Sequence, residues 1–108
     1  MKDEFFTMLG FAARARACVS GYTAVELGIR KRSIRLVILD EEISQNSLEK
    51  ISAMCKAAKI PYVIAGPAGL MGSRIGKSAA RIAGITQDLF AKRMLELTET
   101  DDKTEVKH

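Results

Sequence analysis

Two short unbroken apolar runs constrain this chain most: "RLVILD" at residues 35–40 and "PYVIAG" at residues 61–66. Neither alternates apolar with polar residues, so each reads as a strand covered on both faces. A sheet built on such strands needs helices above and below it, and the remaining segments supply them. In "EFFTMLGFAARAR", Phe5, Leu9 and Ala12 or Ala13 share one helical face. Arg14 and Arg16 stand at the C-terminal end of that helix, where cations suit its dipole. "ACVS" is a short strand candidate, and "GYTAVELGIRKR" a second helix with Val25 and Ile29 four apart and Lys31 and Arg32 at its end.

The third helix has Asn46 as its expected cap, Glu49 at the capping-box position, and Leu48, Ile51, Cys55 and Ala58 at helical spacing. Gly66 and Pro67 suit the N-cap and first position of a short helix running through Leu70, Met71 and Ile75. "RIAGI" reads as the last strand. Thr86 is then expected to cap a final helix carrying Phe90, Met94 and Leu97 on one face. Strands interleaved with helices give an α/β domain with helices on both faces of a small sheet.

A chain of 108 residues, 47% of them hydrophobic, supports a single domain with its own core. That domain is expected over residues 1–98. The stretch from Glu99 to His108 holds four acids and two lysines and is expected to be a disordered acidic tail. Residues 1–98 then carry 15 basic and 9 acidic side chains, a net of +6. A basic body beside an acidic tail is a footprint of nucleic-acid binding. No apolar run approaches the roughly 18 residues of a membrane span. "MKDEFF" carries acids where a secretory signal needs a basic start. The expectation is a cytoplasmic protein without a membrane partner.

Cys18 and Cys55 lie far apart and show no metal-ligand spacing, so each reads as a small core hydrophobe. A zinc site needs four ligands, and the one histidine is the last residue, His108. No cofactor is expected.

"GLMGSRIGKS" at residues 69–78 invites a nucleotide-binding reading, which its spacing refuses. A phosphate-cradling loop needs Gly-x-x-x-x-Gly-Lys-Ser/Thr directly after a strand, so that backbone N–H groups curl around the phosphates. Here Met71 stands where the first glycine belongs, and Gly72 is one residue too close. Asp40 could pass for the acidic end of a metal-binding strand, but it precedes the loop that it should follow. Asp40, Glu41 and Glu42 read first as a solvated strand-to-helix loop and second as a divalent-ion site. Ser20, Ser44 and Ser78 have no histidine to activate them. The chain is not expected to be an enzyme.

Taken together, "MLGFAARARACVSGYTAVELGIRK", "RLVILDEEIS", "IPYVIAG" and "GSRIGKSAARIAGITQDLFAKRM" resemble the ribosomal protein L-seven-Ae/L-thirty-e superfamily, and within it the short bacterial members of the YlxQ type. The likeness runs from about Phe5 to Met94. Its order is specific: a helix ending in Ala-Arg-Ala, Ser-Gly opening helix two, then Ile-Gly-Lys and Gly-Ile-Thr near the end. The resemblance implies a three-layer α/β/α sandwich around a small four-stranded mixed sheet, and binding of structured RNA. Many relatives recognise the kink-turn, a sharply bent helix with an internal loop. By resemblance the RNA surface maps to Gly21–Leu27, Asp40–Ser44 and Gly76–Ile82.

Within and around those segments the expected RNA-binding residues are Arg16, Gly21, Tyr22, Thr23, Arg32, Glu41, Arg74, Lys77, Ser78, Arg81 and Ile82. Gly21 permits close backbone approach, and the N–H groups opening helix two suit a phosphate. The basic residues supply countercharge, and Ile82 with Ala79 and Ala80 would support a splayed base. The alternative is that the arginines cap helix ends and Ile82 is core.

The sequence departs from the family pattern at the start of helix two. Kink-turn binders of this kind carry Gly-x-Asn-Glu-x-x-Lys at the start of helix two, and the matching positions here are Thr23, Ala24 and Leu27. Each lost base contact removes about 1–3 kcal/mol of discrimination. Two readings follow. One is a small monomeric RNA-binding protein that holds rRNA, a kink-turn-like RNA or another ribonucleoprotein RNA. The other is a protein-interaction module on the ribosome or the transcription machinery, using Tyr22, Ala24 and Leu27.

Overall fold

All five residues of the first apolar run, Leu36–Asp40, are buried, as the centre of a doubly covered sheet requires. In the computed structural model, which describes residues 3–99 and 106–107, the elements follow in the order helix α1 (Asp3–Arg14), strand β1 (Cys18–Ser20), α2 (Tyr22–Arg30), β2 (Leu36–Asp40) and α3 (Gln45–Ala58). Then come β3 (Tyr62–Ala65), α4 (Leu70–Arg74), β4 (Ile82–Ile85), α5 (Asp88–Glu99) and β5 (Val106–Lys107). The strands are ordered β1-β4-β2-β3-β5. Only β2 and β3 run parallel, while β4 is antiparallel to both β1 and β2.

The two-residue period of the strands divides the core into two clusters. Leu36, Ile38, Val63, Ala65, Ala83 and Ile85 face α1, α4 and α5, meeting Phe5, Phe6, Leu9, Met71 and Met94. Val37, Leu39, Tyr62 and Ile82 face the other way, toward Val25 and Ile29 of α2 and Ile51 and Cys55 of α3. Burying each such aliphatic side chain stabilises the fold by roughly 1.5–3 kcal/mol. The result is the three-layer α/β/α sandwich that the sequence led one to expect, with β1 to β4 as its mixed four-stranded sheet. The fifth strand is an addition. Val106 and Lys107, from the stretch expected to be disordered, pair with Val63 and Tyr62 on the outer edge of β3. They meet backbone groups that a sheet edge would otherwise leave unpaired. Residues 100–105 and 108 lie outside the described residues.

Three element boundaries differ from the sequence reading. Helix α3 is capped by Ser44, whose hydroxyl accepts from the Ser47 N–H at 3.2 Å, rather than by Asn46, which lies inside the helix. Helix α4 begins at Leu70, not Pro67, because Glu41 and Asp40 take the N–H groups of Ala68 (3.0 Å) and Gly69 (2.8 Å) and hold residues 66–69 as a turn. Helix α5 begins at Asp88 rather than beside Thr86, whose N–H donates to the Ala17 carbonyl at 2.9 Å.

The first three helices end alike. Ala17, Ser33 and Ile60 donate to the carbonyls of Ala12, Gly28 and Cys55, five residues back. Arg16, Arg32 and Lys59 donate to Ala13, Ile29 and Lys56, three residues back. This is the Schellman motif, and its left-handed position, where glycine is usual, holds Arg16, Arg32 or Lys59, each with φ near 59°.

Both thiols are free, Cys55 buried on α3 in the cluster shared with α2 and Cys18 half-buried on β1. Burial pushes the Cys55 thiol up to about 12 and the Cys18 thiol up to about 11. No helix among the described residues is long and apolar enough to cross a membrane.

Candidate nucleic-acid interface

Strand direction sorts the connections into two ends. β1, β2 and β3 all run toward one end of the sheet, and β4 starts there. That end therefore gathers Gly21 and the start of α2, the loop after Asp40, the turn after Ala65 and the loop leading into Ile82. Hydrogen bonds tie them together. The Gly21 N–H donates to the Ile82 carbonyl at 2.9 Å, and the Asp40 N–H donates to the Arg81 carbonyl at 2.8 Å. The Glu41 N–H donates to the Ala65 carbonyl at 3.1 Å.

Asp40 is the hub of this end. It is fully buried, and its carboxylate oxygens accept from the N–H groups of Glu42 (2.9 Å) and Gly69 (2.8 Å). These two backbone donors stand in for the hydration that burial takes from the carboxylate. Glu41 reaches the same turn through its bond from Ala68, and its carboxylate fills the space beside Gly66 where a Cβ would sit. The acidic run expected to be a solvated loop is thus partly structural. Among the described residues no group of three or more His, Cys, Asp or Glu side chains is placed to hold a metal ion.

Helix α2 opens at Gly21, with φ 90° and ψ 157° and no side-chain cap. A residue with a Cβ is strained at such a φ, so glycine is required here. The first-turn N–H groups have no intrahelical acceptor, and no side chain caps them. Thr23 and Ala24 are exposed beside them, Leu27 is 50% exposed, and Tyr22 is half-buried against the α2–α3 side of the core.

The loop before β4 is set by Gly72. A Cβ there would stand 2.6 Å from the Lys77 carbonyl oxygen and 3.2 and 3.3 Å from those of Ser78 and Ala80. The loop closes directly over this glycine, with the Lys77 N–H donating to the Gly72 carbonyl at 2.8 Å. Lys77 and Ser78 are exposed on the outside, and the Arg81 guanidinium folds back toward the carbonyls of Ala80 (3.3 Å) and Ser78 (3.5 Å). Arg74 is exposed at the end of α4.

The expected residues therefore separate. Gly21, Tyr22, Thr23, Glu41, Lys77, Ser78 and Arg81 share one end, and Arg74 stands at the end of the helix leading there. Ile82 is a correction: it is 4% exposed and packs with Val25 and Ile29, so its side chain belongs to the core and not to a base-stacking surface. Arg16 and Arg32 stand apart from this group. Arg16 precedes β1 and Arg32 precedes β2, so the register places both at the opposite end of the sheet from Gly21 and Arg81. The turn at Pro67–Gly69 and its anchor Asp40 went unnoticed in the sequence. The available signal was an acid closing an apolar strand, with glycines on either side of Pro67-Ala68 beyond the next strand.

Loops tied to one another at one end of a three-layer sandwich define a small α/β protein that presents a loop surface. Residues 3–95 match the family described as the ribosomal protein L7Ae/L30e/S12e/Gadd45 family, and the chain belongs to it. It is 35% identical over 96 residues to the RNA-binding protein YlxQ of Bacillus subtilis (strain 168), covering 89% of this chain and 96% of that protein. Among solved structures it is similar to a Bacillus halodurans protein of unknown function, with a TM-score of 0.85 at 26% identity, over 89% of this chain and 97% of that one. The Giardia lamblia 15.5kD RNA binding protein shares the fold at a TM-score of 0.77 and 16% identity, over 93% of this chain and 92% of that one.

Proposed function

We propose that the protein is a small, non-enzymatic RNA-binding protein that holds structured RNA, rRNA or another translation-associated RNA, against the end formed by α2 and the loops before α3 and β4. The observation that carries this reading is the continuous hydrogen-bonded end that joins the uncapped start of α2 to the Lys77–Arg81 loop, in a chain 35% identical to a protein named for RNA binding. The first-turn N–H groups after Gly21 and the cations Lys77 and Arg81 suit phosphates, while Thr23 and Ser78 offer hydroxyls. With Ala24 and Leu27 in place of base-reading polar groups, the contact is to shape and backbone more than to base edges.

The reading is tested by titrating the full chain against rRNA fragments at about 50 and 200 mM salt, where log affinity falls linearly with log salt if phosphates are held. Absence of binding at the lower salt overturns it. A second reading, a protein-docking surface, is favoured by half-exposed Leu27 beside Ala24 and Val19 at the rim of a shallow groove. Under that reading Leu27→Lys releases a protein partner captured from the cell and leaves rRNA affinity unchanged or higher.

A further inference from the structure

The positive charge of this protein is concentrated away from the end just described. At that end Arg74, Lys77 and Arg81 stand with two exposed acids, Glu41 and Glu42. At the opposite end, where α1, α2 and α3 finish and β1, β2 and β3 begin, stand Arg16, Lys31, Arg32, Arg35 and Lys59. All five are exposed. Among the described residues one ion pair engages this group, between Arg35 and Asp88 at 3.1 Å. Among the described residues no ion pair engages Arg16, Lys31, Arg32 or Lys59. The order β1-β4-β2-β3 spreads Arg16, Arg32 and Lys59 across three strand spacings, about 14 Å, as a row rather than a point.

Their backbone sharpens the case. Arg16, Arg32 and Lys59 occupy the left-handed position of three like helix ends, where glycine or asparagine relieves strain. Helix dipoles favour a cation at each end, yet a lysine or arginine within the last helical turn meets that need without a left-handed φ. Exposed cations with little neutralising charge beside them raise a local positive potential that attracts an anionic surface.

We propose that this end is a second, sequence-independent contact surface for RNA phosphates, so that one copy of the protein touches two stretches of RNA backbone. It lies across the molecule from the α2 loop end, on a body of 29 × 27 × 25 Å, and does not depend on base reading. The chemistry recognised is the regular phosphate lattice of a paired RNA helix.

The probe is a perfectly paired RNA duplex without bulge or internal loop, titrated against the full chain and against the variant Arg16→Asn/Arg32→Asn/Lys59→Asn. Asparagine tolerates the left-handed conformation, and an unchanged melting curve establishes that the variant is folded. The variant should lose at least tenfold in duplex affinity, with the log–log salt slope shallower by about 2–3. The charge-preserving Arg16→Lys/Arg32→Lys variant should retain binding. Lys50→Gln/Lys92→Gln, exposed on α3 and α5 away from both ends, should leave the duplex slope within about 1 of the parent. An unchanged slope in the asparagine variant, or an equal loss of slope in the Lys50/Lys92 variant, overturns the proposal. A structured rRNA fragment still held by the asparagine variant keeps failure of this surface distinct from failure of the other.

Discussion

Gly72 and Cys55 show how single residues carry the arrangement. Gly72 lets the Lys77–Ala80 backbone close onto α4, and the atoms facing it are carbonyl oxygens that cannot rotate away. Gly72→Ala should therefore destabilise the protein by about 1–3 kcal/mol, as overpacking against backbone does. It should also weaken RNA binding by displacing Lys77 and Ser78. Urea unfolding and an rRNA titration check the two effects. The glycine of "GLMGSRIGKS" that spoiled the nucleotide-loop spacing is thus the one the loop needs. Cys55 gives a pH signature. In the folded protein its thiol stays protonated up to about 12, whereas its ordinary value is 9.0. The unfolded chain releases that proton first, so the contribution is complete below pH 9 and declines as pH rises toward 12. The stability advantage of the parent over Cys55→Ala should shrink between pH 8.5 and 10.5, measured by urea unfolding at each pH; an advantage that grows there contradicts the burial.

At the scale of elements, the apolar runs and helical periods were legible because burial writes them directly into residue order. "RLVILD" and "PYVIAG" became the paired central strands β2 and β3, with the expected helices on both faces. Helix ends were less legible, because several polar residues compete for each cap and tertiary contacts choose among them. Before α3 both Ser44 and Asn46 have capping side chains, and the extended backbone of Ser44 (φ −63°, ψ 147°) decides. Ser44→Ala should cost about 1 kcal/mol. Asn46→Ala, inside the helix, should stay within about 0.5 kcal/mol of the parent in the same denaturation assay. The start of α4 was hidden for another reason. Its position depends on Asp40 and Glu41, more than twenty residues earlier, which local pattern does not reveal.

For the whole molecule, composition gave the sign of the charge but not its placement. A net of +6 on residues 1–98 says nothing of which end of a sandwich carries it. Only the strand directions separate Arg16 and Arg32 from Lys77 and Arg81. The same limit applies to Ile82, which the family resemblance puts beside a splayed base with Ala79 and Ala80 although its side chain faces α2. What remained legible was the contiguity of the α2 start with the two loops, carried by the family resemblance. That frame is fixed by backbone bonds at Gly21, Asp40 and Glu41, so base-reading chemistry is separable from it. Thr23 and Ala24 are exposed and Leu27 is half-exposed, so polar side chains fit there without disturbing the core. The triple variant Thr23→Asn/Ala24→Glu/Leu27→Lys, which restores the pattern of the kink-turn-binding relatives, should melt within a few degrees of the parent. Its affinity for a kink-turn RNA should rise at least tenfold, about the worth of one base-edge contact, with little change toward a straight duplex of the same length. Equal gains on both RNAs would mean that Leu27→Lys only added charge. No gain on either would mean that the start of α2 does not face RNA in this protein.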